Sequence, residues 1–180
     1  MPWEICYTEL MQKGKILLPP DITKIDGPLI FLAGPIHDAR DWQKEAIAIF
    51  QADFPEVNIA SPRRETFDES FVYEDQIDWE TRHLRRAGEN GVVMFWLSEE
   101  SDHLYGKAFA QTTRFELAEW KLRHERDGIK LAIGMEEGFT GERYFRWRFS
   151  HDCPDVPILK TLTETCRVAG EMALQGNSLK

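Results

Sequence analysis

The 180-residue chain has little cysteine, no long apolar run and a deficit of positive charge. Its three cysteines, Cys6, Cys153 and Cys166, form no CxxC and no paired spacing. That excludes a disulfide framework and fits free thiols in a reducing compartment. No apolar stretch approaches the length that spans a bilayer. Met1-Pro2-Trp3-Glu4 has no basic segment followed by an apolar run, so no secretory leader is expected and the cytoplasm is the expected location. Asp and Glu outnumber Lys and Arg by 31 to 22, a formal net charge of −9. A surface of that sign repels phosphate backbones and argues against binding to nucleic-acid polymers. A local arginine cluster can still hold a small anion against that mean field. The five histidines, at 37, 83, 103, 124 and 151, make no metal-ligand spacing with the cysteines. There is no GxSxG elbow, no GxGxxG and no P-loop. Neither a metal nor a cofactor is implied.

What is present is an alternation of strand-like and helix-like stretches. Apolar residues make up 42% and charged residues 29%, the balance of a globular chain, and the length favours one domain. Leu29 to Ala33 is a short, continuous apolar run that Gly34-Pro35 ends, as suits a strand buried on both faces. Asp41 to Phe50 has helical spacing, with Trp42, Ala46 and Ile49 or Phe50 on one face. Val57 to Ala60 predicts a second strand, closed by Ser61-Pro62. Gln76 to Ala87 predicts a polar helix with a stripe through Ile77, Leu84 and Ala87. Gly91 to Leu97 is the strongest strand. Thr113 to Arg126 predicts a helix, Ile129 to Gly134 a strand, Val156 to Leu159 a further strand, and Thr161 to Leu174 a closing helix. Strands alternating with helices imply crossovers and a parallel sheet. The expected fold is α/β: a small doubly wound parallel sheet, flavodoxin-like in order, over residues 27–180. An N-terminal arm, residues 1–26, precedes it, with Leu17-Leu18-Pro19-Pro20 as an extended or edge segment.

In such sheets ligands bind outside the carboxyl ends of the strands. Four places there hold residues able to do chemistry. Gly34-Pro35 follows the first strand, where a glycine lets a ligand approach the backbone; a plain turn is the bland alternative. Ser61-Pro62-Arg63-Arg64-Glu65 follows the second, and its arginines suit either a phosphate or neighbouring carboxylates. Asp78-Trp79-Glu80 lies on the helix before the strongest strand; a carboxylate there either orients a sugar hydroxyl and handles a proton, or simply sits at a solvated helix start. Gln111-Thr112-Thr113-Arg114-Phe115-Glu116-Leu117 opens the next helix. Thr113-x-x-Glu116 has the form of a capping box, and a helix start would keep the Glu116 carboxylate ionised. An ionised, positioned carboxylate is what a glycosyl-accepting nucleophile must be. The run Arg143 to Arg148 alternates aromatic and basic residues and suits an amphipathic helix or loop packing its aromatics, with a subunit interface as one setting.

The order of these features resembles the nucleoside 2-deoxyribosyltransferase-like family. Phe31-Leu32-Ala33-Gly34-Pro35, Ser61-Pro62-Arg63, Trp79-Glu80, the central apolar strand and Phe115-Glu116-Leu117 with Trp120 carry the likeness, from about Leu29 to about Gly141. The resemblance implies cleavage of the N-glycosidic bond of a (deoxy)nucleoside or nucleotide, by transfer or by hydrolysis. It implies Glu116 as nucleophile, with Ala118 where the family motif has glycine. The second carboxylate falls at Glu80, with Asp78 as the alternative. Phe31 falls where the family has a tyrosine. Thr112 or Thr113 substitutes for a polar residue that falls near Ala110. Gly34 and Pro35 would line the sugar site through backbone. A homo-oligomer is implied, with the segment after Pro157 as a candidate contact. The competing expectations are a non-catalytic nucleotide-binding module on the same fold, and a structural protein whose carboxylates only cap helices.

Overall fold

The structure is a computed structural model, and it describes residues 13–64, 66, 71–103 and 105–175. Six parallel strands form one sheet in the order β1-β3-β2-β4-β5-β6. They are β1 (Ile16–Leu17), β2 (Leu29–Ala33), β3 (Asn58–Ala60), β4 (Gly91–Leu97), β5 (Leu131–Met135) and β6 (Ile158–Leu159). Five helices join them: α1 (Trp42–Asp53), α2 (Tyr73–Glu89), α3 (Gln111–Asp127), α4 (Glu142–Asp152) and α5 (Leu162–Leu174). Leaving β1 aside, the order is that of the flavodoxin-like doubly wound sheet.

The central strands β2, β4 and β5 are short and apolar because helices cover both faces. Every residue of β2, β4 and β5 is buried. Alternation divides the core in two. Phe31, Phe95 and Ile133 face α2, α3 and α4, which contribute Trp79, Leu117, Trp120 and Phe149. Leu32, Met94 and Trp96 face α1 and α5, which contribute Trp42, Ala46, Phe50 and Cys166. Among the described residues, no helix is long and apolar enough to cross a membrane.

The arm contributes the edge strand: Ile16 pairs with Ile59 and Leu17 with Ala60. Asn58 secures it, accepting from the Lys15 backbone N–H at 2.9 Å and donating to the Asp26 carbonyl at 2.7 Å. The stretch Arg143 to Arg148 lies within α4, where Phe149 is buried and Trp147 is exposed.

One expectation for α2 fails. Ile77 was expected on the apolar stripe of α2, yet it is 42% exposed. The buried stripe runs through Trp79, His83, Leu84 and Ala87. Trp79 sets the helix's rotation: its ring packs 6.3 Å from that of Phe31, and its Nε1 donates to the Asp21 carbonyl at 2.7 Å. A tryptophan buries far more apolar area than an isoleucine and so dominates the choice of face.

Candidate active site

The direction of winding reverses between β2 and β4, and the loops after β2, β4 and β5 surround the carboxyl ends there. These loops are tied to one another. The Ser101 N–H donates to the Asp38 carbonyl at 2.7 Å, and Lys107 pairs with the Asp38 carboxylate at 3.0 Å. Arg40 pairs with Glu136 at 3.3 Å, while Glu136 also accepts from the Glu99 N–H at 3.0 Å. Arg114 fastens the start of α3 to the loop after β5, donating to the Thr140 carbonyl at 2.7 Å and stacking over Phe139.

Two carboxylates, Glu80 on α2 and Glu116 on α3, are near enough for the charge of one to act on the other. Gly88 allows the approach: a Cβ there would stand 2.7 Å from the Trp120 ring, so only glycine lets α3 settle this closely on α2. Glu116 lies one turn before Trp120, and Glu80 two turns before Gly88. The negative charge of Glu80 acts directly on Glu116.

The surroundings of the two carboxylates differ. Glu116 is half-buried and has no hydrogen-bond or ion-pair partner among the described residues. Burial first, then the charges of Glu80 and Glu119, push its carboxyl up from 4.5 to about 8. Glu80 is also raised by burial, but two groups oppose that. Gln76 Nε2 donates to Glu80 Oε1 at 2.7 Å, and the Arg64 charge lies nearby. Of the two carboxyls, Glu116 is thus the more strongly raised.

This overturns the expectation that a helix start keeps Glu116 charged. α3 begins two residues before Thr113, at Gln111. Its cap is Ala110 in the left-handed conformation, with no side-chain cap bond. Thr113 is an interior, buried residue and Glu116 is the sixth residue of the helix. The macrodipole fades beyond the first turn, so desolvation and the neighbouring carboxylates prevail.

The remaining candidates divide into those that face the crevice loops and those spent on the protein. Thr112 is exposed one turn before Glu116, on the same side of α3. Asp78 is exposed and lies about 200° around α2 from Glu80, so the two cannot both face Glu116. Phe31 is 1% exposed and packed on Trp79, a core position. Gly34 has a φ of +155°, and a Cβ there would stand 2.3 Å from the Trp96 carbonyl oxygen and 2.6 Å from the Trp42 ring. Its lack of a side chain is thus required by β4 and α1. The Pro35 carbonyl accepts from Trp42 Nε1 at 2.9 Å.

Arg63 holds the loop after β2. Its Nε donates to Gln43 Oε1 at 3.0 Å, and its Nη2 donates to the carbonyls of Ile36 at 2.9 Å, Arg40 at 3.3 Å and Ala39 at 3.4 Å. These contacts make it a positioning residue. Glu65 lies outside the described residues. Gln76 was not anticipated, although its place one turn before Glu80 is a legible i, i+4 pairing. Among the described residues, no group of three or more His, Cys, Asp or Glu is placed to hold a metal ion.

Compared with known proteins, residues 27–127 match a family model described as nucleoside 2-deoxyribosyltransferase like. No curated protein matches the chain.

Proposed function

The chain belongs to the nucleoside 2-deoxyribosyltransferase-like family, and on that premise we propose that it breaks the N-glycosidic bond of a nucleoside or nucleotide through a glycosyl ester on Glu116. The observation that carries this reading is the pair of half-buried carboxylates on α2 and α3, with Glu116 pushed up by burial and by the charge of Glu80; in this reading the pair works with one shared proton. Two titratable groups whose surroundings differ are the usual basis for an acid–nucleophile division of labour.

The steps use that one proton. It passes from Glu116 to Glu80, which arms both groups. A Glu116 carboxylate oxygen then bonds to C1′ as the C1′–N bond breaks. The electron pair goes to the base nitrogen, which takes the proton from Glu80. Water in a hydrolase, or an acceptor base in a transferase, then bonds to C1′ as the C1′–O bond to Glu116 breaks and gives a proton to Glu80, which restores the starting pair, the logic of a retaining glycosidase with a nitrogen leaving group. In this reading the exposed Thr112 hydroxyl meets the sugar, the backbone of Gly34 and Pro35 lines it, and Arg63 keeps that backbone in place. Thr113, buried on α3, positions the helix, and Asp78, on the opposite side of α2 from Glu80, takes no part. The reading keeps a cytoplasmic setting and a homo-oligomer with the segment after Pro157 at the contact.

Activity would require the pair to hold one proton, neither two nor none. The rate should therefore fall on both sides of an optimum, with the alkaline limb near pH 8 where the last proton leaves. A panel of deoxynucleosides, ribonucleosides and their monophosphates, each with and without an acceptor base, tests the proposal by release or exchange of base. No release with any of them, across pH 5 to 9, would sink it.

A second reading, a non-catalytic nucleotide-binding module, is favoured by one feature: burial and the charges of Glu80 and Glu119 push the Glu116 carboxyl up to about 8, which disfavours an ionised nucleophile. It predicts thermal stabilisation by a nucleotide that is recovered intact.

A further inference from the structure

Gln76 stands between an arginine and the second carboxylate. Arg64 Nε donates to Gln76 Oε1 at 2.7 Å. Gln76 Nε2 donates to Glu80 Oε1 at 2.7 Å and to the Pro62 carbonyl at 3.0 Å. An amide nitrogen carries two hydrogens, and these two acceptors take both. The three contacts fix which way the amide points. A flipped amide would set its oxygen against the Pro62 carbonyl and the Glu80 carboxylate, and its NH2 against the Arg64 N–H. Glu80 therefore always meets a donor, and a donor favours the charged carboxylate. Glu116 has no such donor among the described residues.

We infer that the Arg64–Gln76 relay is the device that decides which of the two carboxylates carries the shared proton, with Gln76 as a positioning residue that sets the working pH range. This rests on the reading of Glu80 and Glu116 as the reacting pair. The charged and titratable groups acting on that pair are Arg64 from the loop after β3 and Glu119 from α3, together with the two carboxylates themselves. Gln76 is the neutral group through which Arg64 acts at short range. The relay stabilises every state in which Glu80 is ionised, including the state with no proton on either group. Without it, the first proton loss of the pair, the one that ionises Glu80, moves to higher pH, and the remaining proton is held less exclusively by Glu116.

The test is the pH titration of the glutamate carboxyl carbons, followed by NMR in the unliganded protein, for wild type, Gln76→Leu and Arg64→Met. Gln76→Leu should move the first proton loss of the pair, the ionisation of Glu80, up by roughly one pH unit, the equivalent of one charge-assisted hydrogen bond. Arg64→Met should move it the same way by less. In the Gln76→Leu background, Arg64→Met should add less than it does alone, since its route through Gln76 is gone. A folded Gln76→Leu protein whose titration superimposes on wild type would overturn the inference. If that variant does not fold, an unmoved titration in Arg64→Met does the same. Because the titration needs no turnover, the two readings fail separately. A protein that releases no base but shows these shifts keeps the relay and loses the proposed reaction. One that releases base, with the titration unmoved in Gln76→Leu, keeps the reaction and loses the relay.

Discussion

Replacing Glu116 by glutamine should stabilise the protein, and only at high pH. Burial and the charges of Glu80 and Glu119 hold the folded-state carboxyl at about 8, against 4.5 for the free side chain. Below pH 4.5 both folded and unfolded chains carry the proton, and the group costs nothing. Between 4.5 and 8 the unfolded chain ionises while the folded one does not, so stability is lost as pH rises. Above 8 the loss is complete. At about 1.4 kcal/mol per pH unit, the interval from 4.5 to about 8 sets a ceiling on the order of 5 kcal/mol. Glu116 is half-buried, and solvent screening reduces this to roughly 2–3 kcal/mol. Glutamine keeps the shape and never ionises. Urea unfolding of Glu116→Gln and wild type should coincide within about 0.5 kcal/mol at pH 4.5 and differ by roughly 2–3 kcal/mol in favour of the variant at pH 8.5. A variant equally or less stable at pH 8.5 would refute the placement of an unpartnered carboxylate beside Glu80.

Two further substitutions test the frame around the site. Gly34→Ala should cost on the order of 3–5 kcal/mol, because overpacking against the Trp96 carbonyl adds to a backbone conformation that side chains avoid; thermal unfolding measures it, and a loss under about 1 kcal/mol would show that the strand ends are not packed as described. Arg63→Met should cost about 2–3 kcal/mol by stripping donors from the Ile36, Ala39 and Arg40 carbonyls. It should also raise KM more than it lowers kcat, and an unchanged KM for every substrate in the panel would remove Arg63 from the account of the binding loop.

The sheet was legible where one physical cause acted alone. Gly91 to Leu97 is apolar at every position because helices cover both faces, and β4 has those bounds. The bounds of α3 were not legible. Its cap is a backbone conformation at Ala110, and nothing in the side chains announces it, whereas Thr113 and Glu116 imitate a capping box. Ile77 misled because periodicity counts apolar residues without weighing them, and the larger Trp79 turned the helix. For the candidate site, the sequence offered Glu80 and Glu116 separately. Their coupling depends on Gly88 receiving Trp120 across two helices, a contact that local spacing does not contain. The work of Arg63 was hidden for a similar reason: most of its partners are backbone carbonyls, which carry no residue identity.

The account stands or falls on a covalent bond at Glu116. The most direct measurement is peptide mass mapping after acid quench of the protein with whichever substrate releases base fastest. The account predicts a glycosyl adduct on the peptide that contains Glu116, and neither adduct nor base release in Glu116→Ala. Base release by Glu116→Ala at the wild-type rate, or an adduct on any other residue, would contradict it.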